Sequence, residues 1–377
     1  MRRRTASRVG SGVLALACYT LAALLAVPAY AAPADFNHRK LANVALDQFI
    51  IPGYENFGRQ ILSLRASIDS LCGSPSSENL QRARKSYRES ISAWGKVEII
   101  QFGPVARDNR FERIFFWPDR KGRGRRQVRK LLSGKDDAAL KPVWLAGKSV
   151  AVQGLTALEV VLFGKAADGL MSGAGESFAC RYAVAIVENL GSINTAILKE
   201  WQPNAEFAKI WKSPGPQNLL YLKPSEVTLE LVKALDHGLE NLRDRRIAPV
   251  LGFGKNRHRK ARPVLWRSKS SMALIHANIE GLRNLLFLGG LADAFIASKP
   301  QNGERAEDLM RSIKSEFDLT LRISGQMASE PDPFASPDIT ARLVPIGFPL
   351  KNIRVNTVRQ LKSAAGLAIG FNASDGD

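Results

Sequence analysis

Residues 57–94 read FGRQILSLRASIDSLCGSPSSENLQRARKSYRESISAW, and the spacing of their apolar side chains decides the fold class. Phe57, Ile61, Leu64, Ile68 and Leu71 advance by four and three, as do Leu80, Ala83, Tyr87, Ile91 and Trp94. That rhythm places each set on one face of an α-helix. Further along, Val227, Leu231, Leu235, Leu239 and Leu242 form a third stripe, with Ser225 after Pro224 as the expected N-cap. Ile275, Ile279, Leu282 and Leu286 form a fourth, and Leu309, Ile313 and Phe317 a fifth. Alternating patterns with hairpin signals are nearly absent, so the expected fold is all-α, built of packed helical bundles.

Breaks fall at Phe102-Gly103-Pro104, Trp117-Pro118, Gly164 to Gly175, Pro203, Ser213 to Pro216, Ala248-Pro249, Pro263 and Ser329 to Pro337. Two short echoes link the halves of the chain: IIQFGPV (99–105) with RIAPVLG (246–252), and GLTALEVVLFG (154–164) with GLRNLLFLGG (281–290). They suggest two related bundles, residues 32–200 and 201–377, meeting near 190–220. A single continuous bundle is the alternative.

The N-terminus has a different character. MRRRTASRVG is basic, SGVLALACYTLAALLAVP is apolar, and Ala29-Tyr30-Ala31 supplies small residues at a cleavage position. This order is that of a secretory signal, residues 1–31, cut after Ala31, with a periplasmic destination. A lipoprotein site at Cys18 and twin-arginine export fit less well, because the apolar run continues past Cys18 and the residues after the arginines depart from the twin-arginine pattern. No later stretch has the ~18 uninterrupted apolar residues of a membrane span.

Removing Arg2, Arg3, Arg4 and Arg8 from the 54 basic residues leaves 50 against 35 acidic ones, a mature formal charge of +15. The excess is concentrated in Arg120, Lys121, Arg123, Arg125, Arg126, Arg129 and Lys130, and again between Lys255 and Lys269. Such clusters attract anionic partners at long range. They read either as two solvated loops or as a specific anion site, and in an exported protein the anionic partner is the envelope surface rather than nucleic acid. Only Cys72 and Cys180 remain after the leader, an even number in an oxidising compartment, so one disulfide closing a long loop is expected.

The segment QGLTALEVVLFG (153–164) holds one ionisable residue, Glu159, in an apolar run. Burying an unpartnered carboxylate costs several kcal/mol, so Glu159 should be paired, protonated or set against a cavity. On a helix Thr156 and Glu159 share a face, Gln153 lies one turn earlier, and Gly154 permits close backbone approach or an irregular helix start.

Five segments resemble the imelysin family, whose founding member was described as an insulin-cleaving membrane protease. They are SAWGKVEIIQFGPV (92–105), FFWPDRKGRGRRQV (115–128), AVQGLTALEVVLFG (151–164), ANIEGLRNLLFLGG (277–290) and GFNASDGD (370–377). The resemblance implies an exported all-α fold of two related four-helix bundles and a family linked to bacterial iron uptake or regulation. It also carries the hallmark G-x-H-x-x-E onto Gly154, Thr156 and Glu159, with Thr156 in place of the histidine. A neutral hydroxyl is a poor ligand for zinc or iron, so the metal role of Glu159 is weakened here.

Other candidate binding residues are Glu98, four residues after Trp94 and expected near Glu159, and the Trp117-Pro118-Asp119-Arg120 loop. If the two carboxylates share a pocket, repulsion would raise a pKa or call for a cation. His276 and Glu280, spaced i, i+4, are weaker candidates for a metal ion, iron or zinc, and a structural pair is the plainer reading. His38, His237 and His258 lack ligand-spaced partners, and H-E-x-x-H, G-x-S-x-G and phosphate-loop signatures are missing. Three functions follow: an exported binding or accessory protein for a small ligand or iron species, a metal-dependent peptidase, or an envelope protein acting through its basic loops.

Overall fold

The computed structural model describes residues 36–119, 121–171, 177–252, 262–299 and 303–367. The expected leader, Arg120, His258, most of the second basic cluster and the C-terminal GFNASDGD lie outside them. Among the described residues there are helices and no strands. None of these helices is long and apolar enough to cross a membrane.

Among the described residues nine of the helices carry the architecture: α1 (Ile51–Gly73), α2 (Ser77–Val97), α3 (Arg123–Gly134), α4 (Leu155–Phe163), α5 (Phe178–Trp201), α6 (Pro224–Glu240), α7 (Ser271–Phe287), α8 (Gly303–Ala328) and α9 (Ile339–Ala364). The sequence stripes are their buried faces. Phe57, Ile61, Leu64, Ile68 and Leu71 of α1 and Tyr87, Ile91 and Trp94 of α2 are all inside. Polar caps set the starts of α2 and α5, where Ser76 accepts from the Asn79 N–H at 3.1 Å and Ser177 from the Cys180 N–H at 3.2 Å.

The start of α6 differs from expectation. Ser225 lies inside the first turn; Pro224 occupies the first helical position and Lys223 the cap, its N–H donating to Glu226 Oε2 at 3.2 Å. Proline suits that place because its missing N–H would have no intrahelical acceptor. The basic run after Arg120 also differs, since residues 123–134 form α3 rather than a loop.

Helices α1, α2, α4 and α5 pack on one another, as do α6, α7, α8 and α9, and the buried apolar residues of both groups form one continuous core. The two groups join where α2 lies along α7. Small residues bring these helices close: a Cβ on Gly95 would sit 2.8 Å from that of Ala277, and one on Gly281 would sit 2.2 Å from the Lys96 carbonyl oxygen. Past α6 the chain continues through a wider, π-type turn at Asn241–Ile247, on which Arg246 is buried.

Cys72, at the end of α1, and Cys180, in the first turn of α5, stand together with their Cα atoms 5.7 Å apart. That separation is within the span of a disulfide.

Candidate functional site

The site is built from the start of α4. Gly154 precedes the helix in extended conformation, and a Cβ there would lie 2.3 Å from the Ile114 carbonyl oxygen and 2.4 Å from that of Arg113. Only glycine lets the two backbones approach so closely. Both readings of Gly154, close approach and helix start, hold at once. The helix that follows is fully apolar apart from Thr156 and Glu159, and the Tyr87 hydroxyl donates to its first carbonyl, Leu155, at 3.0 Å.

Glu159 is 4% exposed. Its Oε1 accepts from the backbone N–H groups of Arg267 (3.1 Å) and Ser268 (3.0 Å) and from the Ser268 hydroxyl (3.0 Å). The Arg267 guanidinium lies 3.8 Å from Oε2. Burial raises the carboxyl above its ordinary range, while the Ser268 and Arg267 donors oppose that shift. Burial also pushes the neighbouring Tyr87 phenol well up, and the Glu159 charge adds to it.

Glu159 and Thr156 line a cavity of about 540 Å³. Trp117 and Asp119 of the expected loop reach the same cavity, with Phe116 and Trp266 as further aromatic wall. Both Asp119 oxygens are engaged by the first N–H groups of α3: Oδ1 by Arg123 (2.7 Å) and Oδ2 by Gly124 (3.1 Å). Trp266 is flanked by the guanidiniums of Arg262 and Arg267, 4.8 and 4.3 Å from its ring centroid.

The other expected residues go elsewhere. Gln153 is fully buried, its amide donating to the Lys148 carbonyl at 2.6 Å and accepting from Arg113 Nε at 2.8 Å. It secures the loop before α4 and does not line the cavity. Trp94 is a core residue between Phe57 and Phe111, with ring centroids 5.5 Å from each.

Glu98 is buried in a second, smaller cavity of about 140 Å³. There it pairs with Arg246 and accepts from Asn278 Nδ2 at 3.0 Å, while Arg246 also donates to the Asn278 side-chain oxygen. Trp117 covers Arg246, its ring centroid 4.9 Å from the guanidinium carbon, and the Trp117-Pro118 bond is cis. The two carboxylates therefore line different cavities, each with its own arginine, and Trp117 borders both.

His276 and Glu280 bond to different partners. The His276 Nδ1 meets the Ser324 hydroxyl at 2.9 Å and burial lowers its imidazole, whereas Glu280 pairs with Lys96 at 2.7 Å. Among the described residues no group of three or more His, Cys, Asp and Glu side chains is placed to hold a metal ion. At Glu159 the donor set is likewise a poor fit for iron or zinc: one oxygen is already shared by three donors, the other faces a guanidinium, and Thr156 supplies no imidazole.

Arg246, Asn278, Trp266, Arg267 and Ser268 were not legible as site residues. Ser268 is 109 positions from Glu159 in sequence, and no periodicity links the segments. The basic character of residues 255–269 was the one available signal.

Comparison with known proteins agrees with this architecture. A structure of an imelysin-like protein from Psychrobacter arcticum superposes with a TM-score of 0.70 at 23% identity, over 89% of this chain and 97% of the other. A structure from Parabacteroides distasonis that bears the name iron-regulated protein A precursor gives a TM-score of 0.63 at 13% identity, over 87% and 97%. No curated protein matches the chain. The imelysin family model, a peptidase family designated M75, matches residues 50–329, a span that includes α1 to α8 and the Glu159 cavity. The chain belongs to the imelysin family.

Proposed function

We propose that the protein is an exported binding or accessory protein whose ligand site is the Glu159 cavity. One observation carries the reading: Thr156, Glu159, Trp117 and Asp119, drawn from separate segments, meet around a single cavity of about 540 Å³. That volume is in the range of small-molecule sites, and the cavity sets an aromatic wall beside charged and polar groups that could orient a ligand. Glu159 acts by fixing the 267–268 segment against α4. With Oε1 occupied by three donors, it is poorly placed to serve as a general base.

The related structure named for iron regulation supports an iron-linked process for this chain as well. A role in the periplasm, with residues 1–31 removed, fits the basic, apolar and small-residue order of the N-terminus. The adjacent Cys72 and Cys180 would then close a disulfide on export. The sequence echoes support reading the two helix groups as related bundles, residues 32–200 and 201–377, with a single continuous bundle as the alternative.

A binder and a peptidase separate in one pair of measurements on the mature chain. Ligand-dependent thermal stabilisation without turnover is the expected result. Cleavage of an unfolded protein substrate that stops on adding a chelator would replace this reading with the peptidase one.

A further inference from the structure

Charge is unevenly distributed around the Glu159 cavity. Among the described residues Lys121, Arg125, Arg262 and Arg267 line it, against Asp119 and Glu159 alone as carboxylates. The two carboxylates are already committed, Asp119 to the N–H groups that begin α3 and Glu159 to Ser268 and Arg267. Among the described residues Lys121, Arg125 and Arg262 have no carboxylate within ion-pair distance, and the buried Nε of Arg125 has no hydrogen-bond acceptor. A buried guanidinium N–H without an acceptor is costly, and several like charges around one space repel each other. Both costs fall if an anion enters.

The arrangement also has a shape. Arg262 and Arg267 stack on Trp266, which fixes two planar donor groups at one side of the cavity. Arg125 and Lys121 stand on α3 and in the turn before it. Guanidiniums in such positions suit carboxylate and phosphate oxygens, which accept paired N–H bonds. The aromatic surfaces of Phe116, Trp117 and Trp266 leave room for a nonpolar part.

We infer that the Glu159 cavity takes a small polyanion bearing carboxylate or phosphate groups, bound by Arg125, Arg262 and Arg267 with Lys121 at the rim. This inference rests on the binding-protein reading and names the class of its ligand. It assigns the cavity to an anion, where the family motif would place a metal cation. A bare metal ion is disfavoured by four surrounding positive charges, whereas a metal carried in an anionic chelate is compatible with them. The cavity walls favour a soluble molecule over a membrane surface.

The test uses the mature chain with citrate and pyrophosphate as probes, followed by titration calorimetry and tryptophan fluorescence at low and high salt. Both or either should bind, with affinity falling as salt rises. Arg262→Gln and Arg125→Gln, which break no ion pair among the described residues, should each weaken binding about tenfold or more while leaving the unfolding midpoint nearly unchanged. Unchanged affinity in both variants would overturn the inference. Saturable binding of zinc or ferric ion alone, lost in Glu159→Gln and with no response to either anion, would overturn it while preserving a ligand-binding cavity. Binding only to vesicles rich in phosphatidylglycerol would overturn it in favour of the envelope-surface reading. Absence of binding to anions, metals and vesicles alike, with no stabilisation by any small molecule, would remove the binding-protein reading too.

Discussion

Gly154 abuts the carbonyl oxygen of Ile114 so closely that a Cβ would lie 2.3 Å away. The obstacle is backbone, with a second carbonyl, Arg113, at 2.4 Å, so no side-chain rotation can relieve it. Gly154→Ala should therefore destabilise the fold by about 1–3 kcal/mol or more. Urea denaturation compared with Gly134→Ala, where nothing lies within 4 Å, measures the difference. Equal midpoints for the two variants would contradict the close approach.

The buried pair of Glu98 and Arg246 makes a second prediction. Removing one partner leaves a charge enclosed without its counterion, at a cost of about 3–5 kcal/mol. Glu98→Leu and Arg246→Met should each be strongly destabilising, and the double variant should be less so than the sum of the two. A double-mutant cycle by chemical denaturation decides it; strict additivity would mean that the pair is not coupled.

Stability should depend on pH through Glu159 in a definite direction. Burial raises this carboxyl in the folded state, so its contribution is present below the unfolded carboxyl range and is lost as pH rises through the raised folded value. Glutamine keeps an oxygen for the Ser268 donors and has no such loss. Glu159→Gln should thus gain on the wild type between pH 4 and pH 7, as read from urea midpoints at both values. A gain in the opposite sense would show that the Ser268 and Arg267 interactions outweigh burial.

Cys72 and Cys180 provide a fourth test. A bridge across 108 residues should stabilise by about 4 kcal/mol in the chain-entropy account. Protein recovered from an oxidising compartment should show no free thiol by mass spectrometry, and Cys72→Ala should lower the thermal midpoint by several degrees. Two free thiols in the recovered protein would refute the bridge.

Local pattern carried the fold because helices record their buried faces in residues three and four apart. Leu80, Tyr87 and Trp94 could be placed inside α2 from spacing alone. The cap of α6 was misread because a serine after proline looks like a start, although proline itself can occupy the first position. At the site, Gly154, Thr156 and Glu159 were legible since they lie within one turn and a half of one helix. Their partners were not, because Arg267 and Ser268 meet Glu159 only after the chain has run through α5 and α6 to the segment before α7. Glu98 was expected beside Glu159 from its place four residues after Trp94 on the preceding long helix. Its actual partner, Arg246, lies 148 positions away on a π-type turn that has no distinct sequence signal.

The Trp117 side chain contributes to the wall of the Glu98 cavity and to that of the Glu159 cavity. Among the described residues this indole is the one side chain common to both linings, and it lies against the Arg246 guanidinium. Shortening that residue would enlarge both chambers together and uncover a buried cation in the process. The volumes of the two are therefore not independent quantities, and a substitution at this position would be felt by the Glu98–Arg246 pair.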